Sequence, residues 1–496
     1  MTITVDSTIN EIRAKIPDFH TLICEALGHH VPEAMVKMLG GQTIATAAKK
    51  VGWDKTKLDD FINVLNECVK STDRDVVETN QPIRKSRIEL AEEQDIWIGH
   101  QIFWDRMPFK SDDWNFVFQG YLTTQAHGGP QTGELFYAAS EIQDGSNESL
   151  TKVFRDLAHR VETRAEACLQ KGHTVSAREA YLRACAHYRM PMWFIPPLEP
   201  EFRPLMDSMR ACFRKAAALF EPQVEIVDIP FEGKNLPLYL QRGRPNGTPR
   251  PTVIMLNGGE SFAEDGYFTL APACLKRGYN FVTVDVPGQG GTPFDGLYLR
   301  PDMEVPLGAV LDYVSSLPDV DSDRIATYGV SLGGYIGPRA AVFDKRIKAI
   351  VANSALTSMY DLWMDLWKRI GPLLTYQLEH ADPAQIGVLK SLAWRWGGDD
   401  PLQIPELNKG FEYDPRQITC PVLMLVGEGE YRSSSYIRSV QQHCLDVLPN
   451  SNKRLIVTPA DEGAAHHCLY DNLALAIQEA FDWLDETFCN DQTRTD

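Results

Sequence analysis

Apolar residues recur at two different spacings along this chain, and the spacing changes near residue 222. Before that point the period is helical. Phe154, Leu157, Val161, Ala165 and Cys168 fall three or four positions apart and Gly172 ends the run, which predicts an amphipathic helix stopped by a residue free to adopt left-handed backbone angles. After Glu221 short apolar runs take over, at 225–230, 236–240, 252–256, 281–285, 325–328, 349–352, 422–426 and 455–458. The first two, joined by Glu232-Gly233-Lys234-Asn235, predict an antiparallel hairpin. The later runs are mostly apolar and mostly separated by helix-length segments, as strands of a parallel sheet covered on both faces are.

The amino-terminal part is a separate helical pattern. Thr43 is placed to cap a helix carrying Ile44, Ala47, Ala48 and Val51; Gly52 breaks it, and Asp54 starts another with Leu58, Phe61, Ile62 and Leu65. The pair resembles a helix-turn-helix, but Asp59 and Asp60 on the second helix would repel DNA phosphates. Residues 1–75 are therefore expected to be a docking or dimerisation unit, and a homodimer is expected because so small a unit cannot bury its apolar helices alone. The polar stretch from Ser71 to Gln94 reads as a connector with a boundary near residue 80. Residues 80–222 then form a helical block, a candidate cap, whose aromatic part includes Tyr181, Tyr188 and Trp193 as candidate substrate-lining residues.

Composition narrows the function classes. A chain of 496 residues, 44% hydrophobic and with 10 Trp, buries large cores, and a net charge of −18 disfavours a nucleic-acid surface. No stretch approaches the roughly 20 apolar residues of a membrane span, and the start lacks a basic segment followed by an apolar one. Ten cysteines are scattered without metal-type spacing, so reduced thiols and a cytoplasmic location are expected, with no metal and no cofactor.

The chemistry is concentrated in Tyr328-Gly329-Val330-Ser331-Leu332-Gly333-Gly334. This G-x-S-x-G run between a strand and a helix reads as a nucleophile elbow, in which glycines let the two elements approach and the serine sits on a strained turn. The fold class expected is α/β: an α/β-hydrolase core (223–490) with a helical cap and a small all-helical amino-terminal unit. In that fold the triad runs serine, acid, histidine. The acid belongs after the strand 422–426, at Glu430 with Glu428 as the competing position. The histidine belongs after 455–458, at His467 with His466 as the alternative. Backbone N–H groups of Gly259, Glu260 and Leu332 are candidates for an oxyanion hole. The Glu260 side chain has two readings: proton donor or substrate anchor, or a carboxylate capping the helix that begins at Phe262–Asp265.

Ser176-Ala177-Arg178-Glu179-Ala180-Tyr181-Leu182-Arg183-Ala184 with Tyr188-Arg189, then Cys212-Phe213-Arg214-Lys215-Ala216, Ile229-Pro230-Phe231-Glu232-Gly233 and Leu236-Pro237, resemble the FrsA-like α/β-hydrolases over about residues 90 to 490. That family includes the bacterial 2,6-dihydroxypseudooxynicotine hydrolase and fungal pigment-pathway hydrolases that shorten polyketides. The resemblance implies a site between cap and core, Ser331 as nucleophile, Glu430 where the family usually has Asp, His467 in a His-Cys pair and a functional Glu260. The expected activity is cleavage of a C–C bond adjacent to a ketone in an aromatic or polyketide-like small molecule, free or carrier-bound. An esterase, thioesterase, lactonase or acyl-transferring cyclase would use the same triad, and a non-catalytic regulatory protein is the remote alternative.

Overall fold

A computed structural model of the chain describes residues 3–13, 19, 42–50, 53–72, 87–99, 107–243, 247–368 and 383–492. Val51 and Gly52 of the expected helix break and the boundary placed near residue 80 lie outside the described residues. The chain divides into two compact units, Met1–Ile96 and Trp97–Asp496.

In the first unit, α1 (Ile9–Arg13), α2 (Ile44–Lys50), α3 (Lys55–Thr72) and α4 (Arg87–Gln94) follow one another. The expected caps are present. Thr43 Oγ1 accepts from the Thr46 N–H at 3.3 Å and Asp54 Oδ1 from the Lys57 N–H at 2.9 Å, each satisfying an orphan donor of a first helical turn. Ile44, Ala47, Ala48, Phe61 and Leu65 are buried, while Asp59 and Asp60 are exposed.

The second unit opens with α5 (Asp112–Thr123), α6 (Thr132–Glu141), α7 (Asn147–Gln170), α8 (Thr174–Arg189) and α9 (Phe202–Ala217). Phe154, Leu157, Val161 and Ala165 form the buried stripe of α7, and Gly172 takes φ +77° just past its end. These helices form the cap. Eight strands come next: β1 (Glu225–Phe231), β2 (Lys234–Gln241), β3 (Arg250–Leu256), β4 (Asn280–Val284), β5 (Val320–Val330), β6 (Ala349–Asn353), β7 (Val422–Gly427) and β8 (Lys453–Thr458). They make one sheet in the order β1-β2-β4-β3-β5-β6-β7-β8. The β1–β2 and β2–β4 pairs are antiparallel and the remaining pairs parallel.

Two details differ from the sequence pattern. The hairpin turn is shorter, because Phe231 already pairs with Lys234 and only Glu232 (φ +46°) and Gly233 (φ +77°) form it; two left-handed residues match the right-handed twist of the strands. Strand β5 begins at Val320, ahead of the apolar run. Its start carries Asp321, Ser322 and Asp323, and Val320 pairs with Arg250 beyond a register shift, so polar residues hide it from a hydrophobicity pattern.

Successive strand residues serve opposite layers. Val253, Met255, Tyr328, Val351 and Leu425 join one core with the cap, with α10 (Ala263–Lys276) and with α16 (Leu473–Gln492). Ile254, Leu256, Ile350, Met424 and Val426 join the other with α11 (Glu304–Ser315), α12 (Gly333–Phe343), α13 (Pro383–Arg395) and α15 (Ser435–Val447). The short helix α14 (Glu428–Ser433) starts at the end of β7. Two arginines, one buried and one half-buried, fasten cap to core: Arg189 of α8 pairs with Asp265 at 2.9 Å, and Arg210 of α9 with Asp285. Among the described residues no helix is long and apolar enough to cross a membrane.

Candidate active site

The parallel strands end on one edge, and the chemistry gathers there. Ser331 follows β5 with φ +54°, the left-handed conformation that a residue with a Cβ avoids unless its surroundings impose it. The surroundings do impose it. A Cβ at Gly329 would lie 2.1 Å from the Gly333 carbonyl oxygen, at Gly333 2.0 Å from that of Leu256, and at Gly334 2.0 Å from that of Ser354. The three glycines therefore let strand and helix approach to backbone contact. The Ser331 N–H donates to the Asn353 carbonyl at 2.7 Å, and its side chain is half-buried rather than enclosed.

Glu430 sits on α14 and is 1% exposed. Its Oε1 lies 2.8 Å from His467 Nδ1 and accepts from Trp97 Nε1 at 3.3 Å, while Oε2 accepts from Ser354 Oγ at 3.2 Å. Glu428 is engaged elsewhere, with Arg432 at 2.9 Å and the Ala460 N–H at 2.9 Å. The geometry thus pairs the acid at 430 with the ring at 467; the ring at 466 lies against Phe116 of the cap. Burial alone would push the Glu430 carboxyl up, but His467, Trp97 and Ser354 outweigh it and hold the group below its ordinary value. Burial alone would likewise depress His467. The adjacent Cys468 and the Glu430 carboxylate overcome it and hold the imidazole well above the ordinary histidine range.

Asn353, at the end of β6, ties these parts together. Its Nδ2 donates to the Cys468 carbonyl at 3.0 Å, and its own carbonyl accepts from both Ser331 N and Cys468 Sγ. One buried residue therefore links the elbow to the histidine loop.

The loop after β3 lies on the other side of the serine. A Cβ on Gly258 would meet Ser331 Oγ at 3.9 Å. Among the described residues, the N–H groups of Gly259, Glu260 and Leu332 donate to no protein acceptor, as donors reserved for an oxyanion would not. The capping role considered for Glu260 belongs to other residues: Asp265 accepts from the Phe262 N–H at 2.9 Å and Asp285 from the Ala263 N–H at 2.7 Å.

The expected substrate-lining aromatics divide. Tyr181 and Tyr188 are 2% and 5% exposed, with Lys215 against the Tyr181 ring and the Tyr188 hydroxyl donating to Glu162 at 2.9 Å. Both belong to the buried core that the cap shares with one face of the sheet. Trp193 stacks on the Arg189 guanidinium at 4.2 Å, and Arg189 in turn donates to the Glu260 carbonyl. Trp97 and Ser354, which complete the shell of Glu430, escape sequence reasoning. Ser354 carries a weak positional signal, as the residue immediately after a core strand.

Known proteins fit this architecture. A profile described as Esterase FrsA-like matches residues 205–369. The α/β hydrolase gkaG of Penicillium citrinum is 34% identical over 75% of this chain and 96% of its own length. The 20-hydroxy-prefusarin hydrolase FUS2 of Gibberella moniliformis is 28% identical over 77% of this chain and 97% of its own. Among solved structures, the 2,6-dihydroxy-pseudo-oxynicotine hydrolase superposes with a TM-score of 0.58 at 24% identity, covering 73% of this chain and 94% of that one. The chain belongs to the FrsA-like α/β-hydrolase family, and it is a hydrolase.

Proposed function

We propose that this hydrolase uses Ser331 to cleave a C–C bond adjacent to a ketone in an aromatic or polyketide-like substrate. The observation that carries the reading is the 2.8 Å contact of His467 with the buried Glu430, on a loop joined through Asn353 to a left-handed Ser331. His467 Nε2 takes the Ser331 proton as Oγ attacks the ketone carbon, and the amides of Gly259, Glu260 and Leu332 receive the oxyanion. The carbonyl re-forms as the C–C bond breaks. The electron pair leaves on carbon and, in a β-dicarbonyl, is delocalised as an enolate, which is protonated by His467 with the proton taken from Ser331, or by a protonated Glu260 that then receives that proton from His467. Water, deprotonated by His467, then releases the acyl group from Ser331 as an acid.

The relative named for 20-hydroxy-prefusarin supports a natural-product substrate, and the family description Esterase FrsA-like supports ester cleavage by the same residues as the second reading. Incubation with aryl β-diketones and with aryl esters separates the two. Acid and ketone products from the diketones are expected; rapid ester turnover with intact diketones would replace the first reading by the second.

A further inference from the structure

We infer that Gln289 and Arg395 are positioning residues of the oxyanion hole, acting in series on the peptide between Gly258 and Gly259. The inference rests on the proposed Ser331 acyl-transfer chemistry and adds two residues to it. Gln289 is fully buried, and its Nε2 donates to the carbonyls of both Asn257 and Gly258, at 2.7 and 3.0 Å. In a trans peptide the C=O and the following N–H point in opposite directions within one plane. Holding the Gly258 carbonyl therefore sets the Gly259 N–H, one of the donors left over by the protein, on the side away from Gln289.

Gln289 is itself held from behind. It lies between Gly288 (φ +87°) and Gly290 (φ +55°), where a Cβ would fall 2.1 Å from the Leu299 side chain and 1.9 Å from Asp285. Arg395 Nη1 donates to the carbonyls of these two glycines at 3.0 and 3.4 Å, and its Nη2 reaches the Glu260 carbonyl at 3.1 Å. One guanidinium thus spans both loops. Arg395 is 1% exposed, and among the described residues its side chain donates only to carbonyl oxygens and the Ser391 hydroxyl, with no carboxylate in ion-pair contact. A buried cation without a paired anion is costly. Placed beside the peptides that receive an oxyanion, it adds positive potential where negative charge develops.

The test is the kinetics of Ser331 phosphonylation by an alkyl fluorophosphonate, using full-length protein and resolving reversible binding (KI) from bond formation (kinact). Removing an oxyanion donor costs about 10²- to 10³-fold, so Gln289→Met and Arg395→Lys are expected to lower kinact by at least about tenfold with KI nearly unchanged. Gln289→Glu supplies a second readout, because a neutral carboxyl donates a hydrogen bond and a carboxylate does not. Its kinact is expected to fall with rising pH where the wild type does not, and this variant carries the test if Gln289→Met fails to fold. Labelling of the variants at the wild-type rate, or a Gln289→Glu profile parallel to the wild type, overturns the inference. A wild type that takes no label at Ser331 overturns instead the reading on which it rests.

Discussion

Replacing Glu430 by glutamine removes one charge and almost no volume, and the surrounding donors decide how the new side chain sits. Oε1 faces His467 Nδ1 at 2.8 Å and Trp97 Nε1 at 3.3 Å, while Oε2 faces Ser354 Oγ at 3.2 Å. An indole N–H only donates, whereas a hydroxyl turns to accept. The glutamine amide nitrogen is therefore directed to Ser354 and its oxygen stays against His467, which keeps the Nδ1–H tautomer. The loss is one of charge. A hydrogen bond to an ionised partner is roughly twice as strong as a neutral one; losing about 3 kcal/mol of support for the imidazolium lowers kcat by about 10²-fold. An amide turned the wrong way would force the wrong tautomer, at about 10⁴-fold. Trp97→Phe removes the indole that prevents this turn, so Glu430→Gln/Trp97→Phe is expected to be at least about tenfold slower than Glu430→Gln, relative to a Trp97→Phe control. The assay is kcat on a β-diketone or aryl ester turned over by the wild type. A Glu430→Gln rate within about threefold of wild type, or a double variant no slower than the single, refutes the reasoning.

Three further outcomes are expected. The acid limb of kcat/KM reports His467 in the free enzyme; the Glu430 carboxylate favours the imidazolium, so Glu430→Gln should move that limb to lower pH, and an unmoved or raised limb would deny the ion pair its role. Ser331→Gly removes a Cβ from a residue at φ +54°, so urea unfolding should show a gain of about 1 kcal/mol in stability alongside lost activity. Gly333→Ala puts a methyl 2.0 Å from the Leu256 carbonyl oxygen, and thermal or denaturant melts should show a loss of about 3 kcal/mol or more.

The central strands β3, β4, β6 and β7 were legible because they bury most or all of their residues and so appear as largely apolar runs. The start of β5 was not, since Asp321 and Asp323 mark an exposed strand end rather than a turn. The tight turn at Ser331 was legible because it needs glycines at fixed offsets, and the pairing of Glu430 with His467 because strand ends limit where two such side chains can meet. Trp97 was not: it meets Glu430 across 333 positions of chain, and no local pattern encodes such a pairing. The surroundings of Tyr181 and Tyr188 were not legible, because an aromatic ring with a hydroxyl looks the same in sequence whatever it meets; here Lys215 lies over the Tyr181 ring and the Tyr188 hydroxyl donates to Glu162. Gln289 lies in the glycine-rich stretch after β4, a mark that was present; Arg395 carries none.

The proposed chemistry depends on Ser331 as the nucleophile and His467 as its base. Peptide mapping after fluorophosphonate treatment of the full-length chain tests it most directly. A single adduct on Ser331 is expected, absent from Ser331→Ala and strongly slowed in His467→Ala. An unlabelled wild type, or an adduct that persists in Ser331→Ala, would contradict it.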